Sequence, residues 1–343
     1  MIITRTPFRI SFFGGRTDYP VWYRQNGGAV LSSTINKYCY ISTRYLPPFF
    51  DHKFRIRYST REETQNIDQI KHPAVKACLE YLNLGRGVEM VHTSDLPARS
   101  GIGSSSAFTV GFLNSLYALK GKIITKRQLA RDAIHIEQNL IKESVGSQDQ
   151  VATSFGGLNK IEFGGDNDFY VYPITISKEK IDFFQSHLLL FFTGLSRTAS
   201  DIASEQIRKT SGKKAELKAM MEMVAEASDI LNGVIGNFND LGKLLHESWK
   251  LKMALTKLIA NSAIKDIYKS ALDAGALGGK LLGAGGGGFM LFFAPPERHA
   301  MIRAKLEGLL HVPFAFENLG TQIVLYSTQD DFSVDSQLSL KNN

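Results

Sequence analysis

The pattern of apolar and polar positions divides the chain into short strands and longer helices. Residues 1–20, MIITRTPFRISFFGGRTDYP, hold an apolar run that Gly14 and Gly15 break. The pattern predicts a strand, a turn, and a helix over 19–25 with Thr17-Asp18 as its N-cap. Alternating runs at 29–35 and 38–45 predict paired strands with a hairpin turn at Asn36-Lys37, and 53–58 predicts another strand with Lys53, Arg55 and Arg57 on one face. A helix is expected over 69–84 and a strand over 87–92. After the small-residue run at 100–107, Phe108, Phe112, Leu116 and Leu119 recur at helical spacing. The next helix, 126–142, carries Leu129, Ala133, Ile136 and Leu140 on its apolar face, with Glu137 beside that stripe. A polar segment at 146–151 leads to strands at 158–163 and 169–174.

The second half opens near 176. A buried strand at 187–192 ends in Thr193, Gly194, Leu195, Ser196 and Arg197. Helices are expected at 199–208, 214–235, 239–257 and 263–274. Strands at 280–282 and 289–293 flank a glycine run, and a helix at 296–309 precedes strands at 312–316 and 321–326. This order of strands and helices points to an α+β fold or two-layer sandwich rather than strict βαβ repetition. The expected division is 1–175, 176–327 and a polar tail at 328–343.

Composition narrows the class. The 343 residues are 43% hydrophobic and 21% charged, ordinary for a folded globular chain. The net charge of +7 and the pI near 9.2 favour anionic partners, which phosphorylated metabolites and nucleic acids both are. No dense Lys/Arg block with interleaved aromatics occurs, so nucleic acid is not expected. Cys39 and Cys78 stand far apart without a CxxC partner, which argues against a disulfide framework or a zinc site and fits a reducing cytoplasm. Arginines interrupt the N-terminal apolar stretch, so no signal peptide is expected, and the longest apolar runs are too short to span a bilayer. The sequence reads as that of a soluble, cytoplasmic protein without a membrane partner.

The candidate chemistry centres on Arg99-Ser100-Gly101-Ile102-Gly103-Ser104-Ser105-Ser106. Small residues let main-chain N–H groups approach a ligand, and the following helix points its positive end at the same place. A polyphosphate suits that arrangement, and a hydroxyl there can reach a phosphate-bound Mg²⁺. A Gly/Ser-rich turn that only caps a buried helix has the same pattern. Asp149, in a polar segment between apolar elements, is either a general base or a helix N-cap. Glu137 is either a Mg²⁺ ligand or a solvated helix position. Arg9, between Phe8 and Ile10, requires a partner, such as a phosphate or Asp149. The run Gly283, Ala284, Gly285, Gly286, Gly287, Gly288 satisfies GxGxxG, but a strand follows where a dinucleotide fold needs a helix. A strand–glycine turn–strand hairpin under a phosphate or a catalytic loop is the better reading.

Residues 7–20, 96–109 and 280–293 resemble, in order and spacing, the three motifs of the GHMP kinases, and the resemblance covers about 2–327. It implies a ribosomal-protein-S5-like N-terminal domain and a ferredoxin-like C-terminal domain, with ATP, Mg²⁺ and a small acceptor between them. It further implies that 101–107 is the phosphate loop, with Ser105 and Glu137 on the metal. Asp149 is then the carboxylate that accepts or orients the acceptor hydroxyl, with Arg9 as the basic residue of the first motif. Asp18 grips the sugar, next to Gly14, Gly15 and Arg16. Gly156, Gly157, Thr193 and Arg197 fall on the acceptor side, and Gly283, Gly285, Gly286 and Gly287 support the active-site loops. GGRTDYP with LPARSGIGSSSAFTVG is most similar to the branch acting on heptose 7-phosphate at its anomeric hydroxyl. The expected partners are therefore ATP and a phosphorylated sugar; a monomer and a homodimer are equally compatible. A free-sugar 1-kinase and a non-catalytic sugar-phosphate sensor are the rival readings.

Overall fold

A computed structural model describes residues 1–164, 169–194, 204–205, 212–256 and 258–327. Its larger sheet is built on two long strands. In β1 (Ile2–Phe13) both faces are buried beyond Thr6, with Phe8, Ile10 and Phe12 on one face and Arg9, Ser11 and Phe13 on the other. After the short helix α1 (Pro20–Asn26), β2 (Gly28–Tyr45) runs antiparallel to β1 for its whole length. The expected hairpin does not form. Pro7 pairs with Tyr38 and Phe8 with Ile35, so Asn36 and Lys37 are two extra residues at a bulge in one continuous strand. Pro7 lacks a ladder donor, which suits the break to that point.

The chain continues through β3 (Phe54–Arg57), β4 (Arg61–Thr64), α2 (Pro73–Leu82) and β5 (Val88–Ser94). The phosphate-loop candidate joins β5 to α3 (Ser104–Leu119), whose buried residues lie all round it. α4 (Lys126–His135) runs into a π-helical turn over Ile136–Leu140, and α5 (Gln148–Phe155) follows. β6 (Leu158–Phe163) and β7 (Phe169–Pro173) complete the first half. The order β13 (Gln322–Tyr326), β1, β2, β5, β3, β4, with β6 and β12 (Phe316–Glu317) also on β2 and β7 on β6, defines this nine-stranded sheet.

The smaller sheet has four antiparallel strands in the order β11-β8-β10-β9. It follows α6 (Lys178–Ser186) and begins with β8 (Leu188–Phe192). The helices α7 (Lys214–Asn232), α8 (Phe238–Leu255) and α9 (Ser262–Asp273) precede β9 (Gly278–Leu281) and β10 (Phe289–Phe293). A 3₁₀ turn at Pro296–Arg298 and α10 (His299–Lys305) take the place of one long helix. The strand expected at 312–316 is instead two bridges in different sheets, β11 (Leu310–His311) and β12 (Phe316–Glu317). β12 and β13 (Gln322–Tyr326) return to the larger sheet, on β2 and β1, so the chain crosses back over the expected 175/176 division. The expected helix at 199–208, Arg197 and the tail at 328–343 lie outside the described residues, apart from 204–205.

One core spans both sheets. Phe12 of β1 meets Phe184 of α6 at 5.1 Å between ring centroids, and Phe184 meets Phe316 at 5.6 Å and Phe293 at 6.3 Å. The smaller sheet packs on α8 by backbone contact: a Cβ at Gly278 would lie 2.0 Å from the Gly242 carbonyl oxygen. Gly278→Ala is therefore expected to lower stability by about 1–3 kcal/mol. A urea midpoint unchanged from wild type, at equal m-value, would show that this contact does not set the spacing.

Candidate active site

The site forms where the loop before α3, the start of α5, the buried middle of β1 and the β9–β10 hairpin meet. Arg9 is 3% exposed, and its guanidinium forms a fork on Asp149: Nε donates to Oδ1 and NH2 to Oδ2, both at 2.7 Å. Its NH1 donates to the Gly101 carbonyl at 2.7 Å, and its main-chain N–H to the Ile102 carbonyl at 3.0 Å. One arginine thus holds both the carboxylate and the loop. Asp149 lies not in a loop but in the first turn of α5, with 24% of its side chain exposed.

The loop itself ends at Gly103, in the left-handed region, as the N-cap of α3. The first intrahelical bond shown is from Ala107 N–H to the Gly103 carbonyl, which leaves the N–H groups of 104–106 for a ligand. Ser104 Oγ accepts from Arg99 N–H at 3.1 Å, and Ser100 Oγ donates to the Pro97 carbonyl at 2.6 Å. Ile102 is fully buried and anchors the loop, while Arg99 and Ser105 are exposed. A sixteen-residue helix directs its positive end at this place, so the arrangement binds anions.

Glu137 lies on the π-helical turn, fully buried, rather than on a solvated face. Its Oε2 accepts from Ser106 Oγ at 2.9 Å and from Gln150 Nε2, whereas Oε1 has no partner. The nearby Thr109 hydroxyl donates to the Ser105 carbonyl instead, at 3.3 Å. Burial pushes the Glu137 carboxyl up to about 7. The structure thus brings Ser106, and not Ser105, onto Glu137.

Several residues expected to contact the acceptor are engaged in scaffolding. Asp18 is 1% exposed; it accepts from Arg16 N–H at 2.9 Å and from Gln148 N–H at 3.3 Å. Burial, and then the Asp149 charge, raise its pKa. Arg16 donates to Tyr19 Oη at 2.9 Å and to the Ala284 carbonyl at 2.8 Å, so it ties the first motif to the third. Gly14 packs against the Ala29 carbonyl and Val224, and Gly15 faces Ser11 and Gln148. Gly156 and Gly157 pack on residues 317–320, and Thr193 donates to the Gly288 carbonyl from both N–H and Oγ1 at 2.9 Å.

The glycine run forms the expected hairpin turn between β9 and β10. It lies directly on the phosphate loop: a Cβ at Gly101 would be 2.6 Å from the Leu282 carbonyl oxygen, and one at Gly283 would be 2.4 Å from the Gly101 Cα. Gly285, Gly286 and Gly287 continue the turn, where Gly286 N–H donates to the Ile259 carbonyl at 2.9 Å.

Two buried lysines were missed in the sequence. Lys252 Nζ donates to the carbonyls of Leu281 at 2.6 Å and Gly283 at 2.8 Å, and Lys280 Nζ to the Phe12 carbonyl at 2.7 Å. Lys280 follows Gly278 and Gly279 and precedes Leu281 and Leu282. Its place in an otherwise small and apolar strand was the available signal. Lys252 belongs to an ordinary amphipathic helix pattern and gave none.

A polyphosphate loop, a carboxylate held by an arginine fork and a glycine hairpin between two α+β units define a small-molecule kinase. The family model for the GHMP kinases N terminal domain matches residues 69–157, and that for the GHMP kinases C terminal matches 223–307, together just over half of the chain. The chain belongs to the GHMP kinases and uses ATP. A D-glycero-alpha-D-manno-heptose 7-phosphate kinase of Campylobacter jejuni is 29% identical over 334 residues, covering 94% of this chain and 98% of that protein. An L-fucokinase/L-fucose-1-P guanylyltransferase of Bacteroides fragilis is 27% identical over 88% of this chain, which spans 35% of that longer protein. Among solved structures, a D-glycero-D-manno-heptose 1-phosphate kinase from Bacteroides thetaiotaomicron shares the fold, with a TM-score of 0.77 and 22% identity over 95% of this chain and 100% of that one. Among the described residues no helix is long and apolar enough to cross a membrane.

The fork geometry yields a direct expectation. Asp149→Asn lowers kcat at least ~10²-fold with ADP affinity nearly intact, and Arg9→Lys, which keeps the charge but loses the bidentate fork, does likewise. Steady-state kinetics beside ADP titration checks this; an Asp149→Asn variant above a third of wild-type kcat removes the carboxylate from the mechanism.

Proposed function

We propose that the protein transfers the γ-phosphoryl group of ATP to the anomeric hydroxyl of D-glycero-α-D-manno-heptose 7-phosphate, giving the 1,7-bisphosphate. The observation that carries this reading is the end-to-end similarity to the Campylobacter kinase of that substrate. Phosphoryl transfer asks mainly for positioning and charge neutralisation, and the loop N–H groups with Arg9 supply both. The acceptor oxygen bonds to the γ-phosphorus as the bond to ADP breaks, and its proton passes to an Asp149 oxygen. An anomeric hydroxyl is more acidic than an ordinary alcohol, so Asp149 needs only to orient it and take the proton late.

Mg²⁺ suits the residues present. The unpartnered Oε1 of Glu137 is an anionic oxygen beside the phosphate loop, and Mg²⁺ is commonly held by one or two carboxylates together with substrate phosphates. Glu137 would hold it, with a hydroxyl of Ser105 or Ser106, and the ion would neutralise charge on the phosphates. The product would feed nucleotide-activated heptose synthesis for a capsule or lipopolysaccharide in the cytoplasm.

Titration of Glu137 gives a signed test. Its folded pKa near 7 stands above the usual 4.5, so between these values the folded chain keeps a proton that the unfolded chain has lost. Without metal, stability falls as pH rises from 4.5 through 7, by up to about 3 kcal/mol. Glu137→Gln is expected to flatten that limb and to raise the half-saturating Mg²⁺ concentration at least ~10-fold. Denaturant curves across this range, with Mg²⁺ titrations, decide it; unchanged curves in both sink the assignment.

Acceptor choice is tested with heptose 7-phosphate, mannose 6-phosphate and the free sugars. Loss of the terminal phosphate is expected to lower kcat/KM ~10- to 100-fold, as charge-assisted bonds to it would require. Arg16 is committed to Tyr19 and Ala284, which leaves Arg197 as the proposed phosphate ligand, tested by Arg197→Ala. Equal use of free sugars, as for the fucokinase relative, would replace this reading with a free-sugar 1-kinase.

A further inference from the structure

Behind the phosphate loop, Lys252 on α8 and Lys280 on β9 are each 4% exposed. Among the described residues neither has a carboxylate partner, and each donates only to main-chain carbonyls. Lys280 fills one of its three donor positions in this way and Lys252 two. The charged groups around them are Arg9 from β1 and Arg16 from the turn after β1. The carboxylates of that cluster, Asp149 and Asp18, are already bonded to Arg9 and to the Arg16 N–H. Four cations therefore face two carboxylates in a buried volume, and the imbalance lies beside a loop built for an anion.

We propose that Lys280 and Lys252 are positioning residues of the phosphoryl-transfer site, Lys252 holding the β9–β10 hairpin by its carbonyls and Lys280 holding the strand of Arg9, and that the nucleotide's phosphates are the anion they face. The carbonyls they hold are those of Leu281 at the end of β9, Gly283 in the turn that packs on Gly101, and Phe12 on the strand carrying Arg9. In the free protein burial, and then Arg9 and Arg16, push Lys280 down to about 7; Lys252 is lowered in the same direction by burial first and Lys280 next. A bound polyanion favours the charged ammonium, so nucleotide binding takes up protons, and by linkage its affinity falls as pH rises above 7.

The inference rests on the nucleotide's phosphates lying at the loop, and the test separates the two. ADP without metal is titrated calorimetrically into wild-type protein at pH 7.5 and 8.5, in buffers of differing ionisation enthalpy. The expected result is uptake of about half a proton or more, with Kd weakened ~3- to 10-fold over that unit. Lys280→Arg, charged throughout, is expected to bind ADP within ~3-fold of wild type at pH 7.5 with most of the uptake and slope gone. Lys280→Met should lose the slope and bind at least ~10-fold more weakly. ADP binding without proton uptake in wild type overturns the inference alone, as does uptake that persists undiminished in both Lys280→Arg and Lys252→Arg. Absence of ADP binding in wild type overturns the phosphate-loop assignment with it.

Discussion

The site depends on a contact between two backbones. Residues 100–103 of the phosphate loop and 282–289 of the β9–β10 hairpin touch without side chains between them. Phe289 N–H donates to the Ser100 carbonyl at 3.2 Å, and a Cβ at Gly288 would lie 2.2 Å from that same oxygen. This is the reason for five glycines in six residues, a composition that costs folding entropy at every position. The contact joins the two sheets where the nucleotide must sit. The loop's N–H groups are consequently fixed by the smaller sheet as well as by α3, and preorganised donors need no rearrangement when charge develops.

From that contact the cations follow. Carbonyl oxygens crowded at the turn need donors, and water is excluded by the packing. Lys252 supplies those donors, Arg16 reaches Ala284 from the first motif, and Lys280 ties β9 to the Phe12 carbonyl of β1. Arg9 does the same for Gly101 while holding Asp149. Each makes a structural bond to a carbonyl, and the two arginines are fixed positive charges as well. Asp18 completes the frame by bonding the Arg16 and Gln148 amides, which sets the start of α5 and so the position of Asp149.

The sequence disclosed the parts of the fold whose signal is local. The phosphate loop, the helix after it, the glycine hairpin and the α+β order could be read because small-residue runs and periodicity carry them. Asn36-Lys37 misled because a polar pair inside an apolar run marks a bulge as readily as a turn, and only the pairing with Pro7 and Phe8 decides. Glu137 beside an apolar stripe did not show its burial, since the π-helical turn rotates it out of the expected register. Asp18 and Arg16 sit in a motif that the resemblance assigns to the sugar, whereas their bonds depend on Gln148 and Ala284, far along the chain. Long-range partners of this kind leave no mark in spacing. Strand β13 was foreseen in outline, but not its return to the first sheet, for the same reason.

The unliganded protein holds charge of both signs that its own residues do not satisfy. Glu137 keeps an unbonded, fully buried oxygen, and the buried amines of Lys252 and Lys280 donate only to carbonyls, with Lys252 also over the Trp249 ring at 5.7 Å. Burial penalises each ionised form separately, which moves Glu137 and Lys280 toward neutrality from opposite directions, both to about 7. Under the proposed function, a nucleotide polyphosphate with Mg²⁺ would bring a positive charge to the first and negative charges to the second. On that reading, free energy that burial of these groups withholds from folding would be returned on binding and contribute to the affinity for the metal nucleotide. A site of this kind discriminates against ligands of a single sign, because either half alone leaves the other buried charge without a partner.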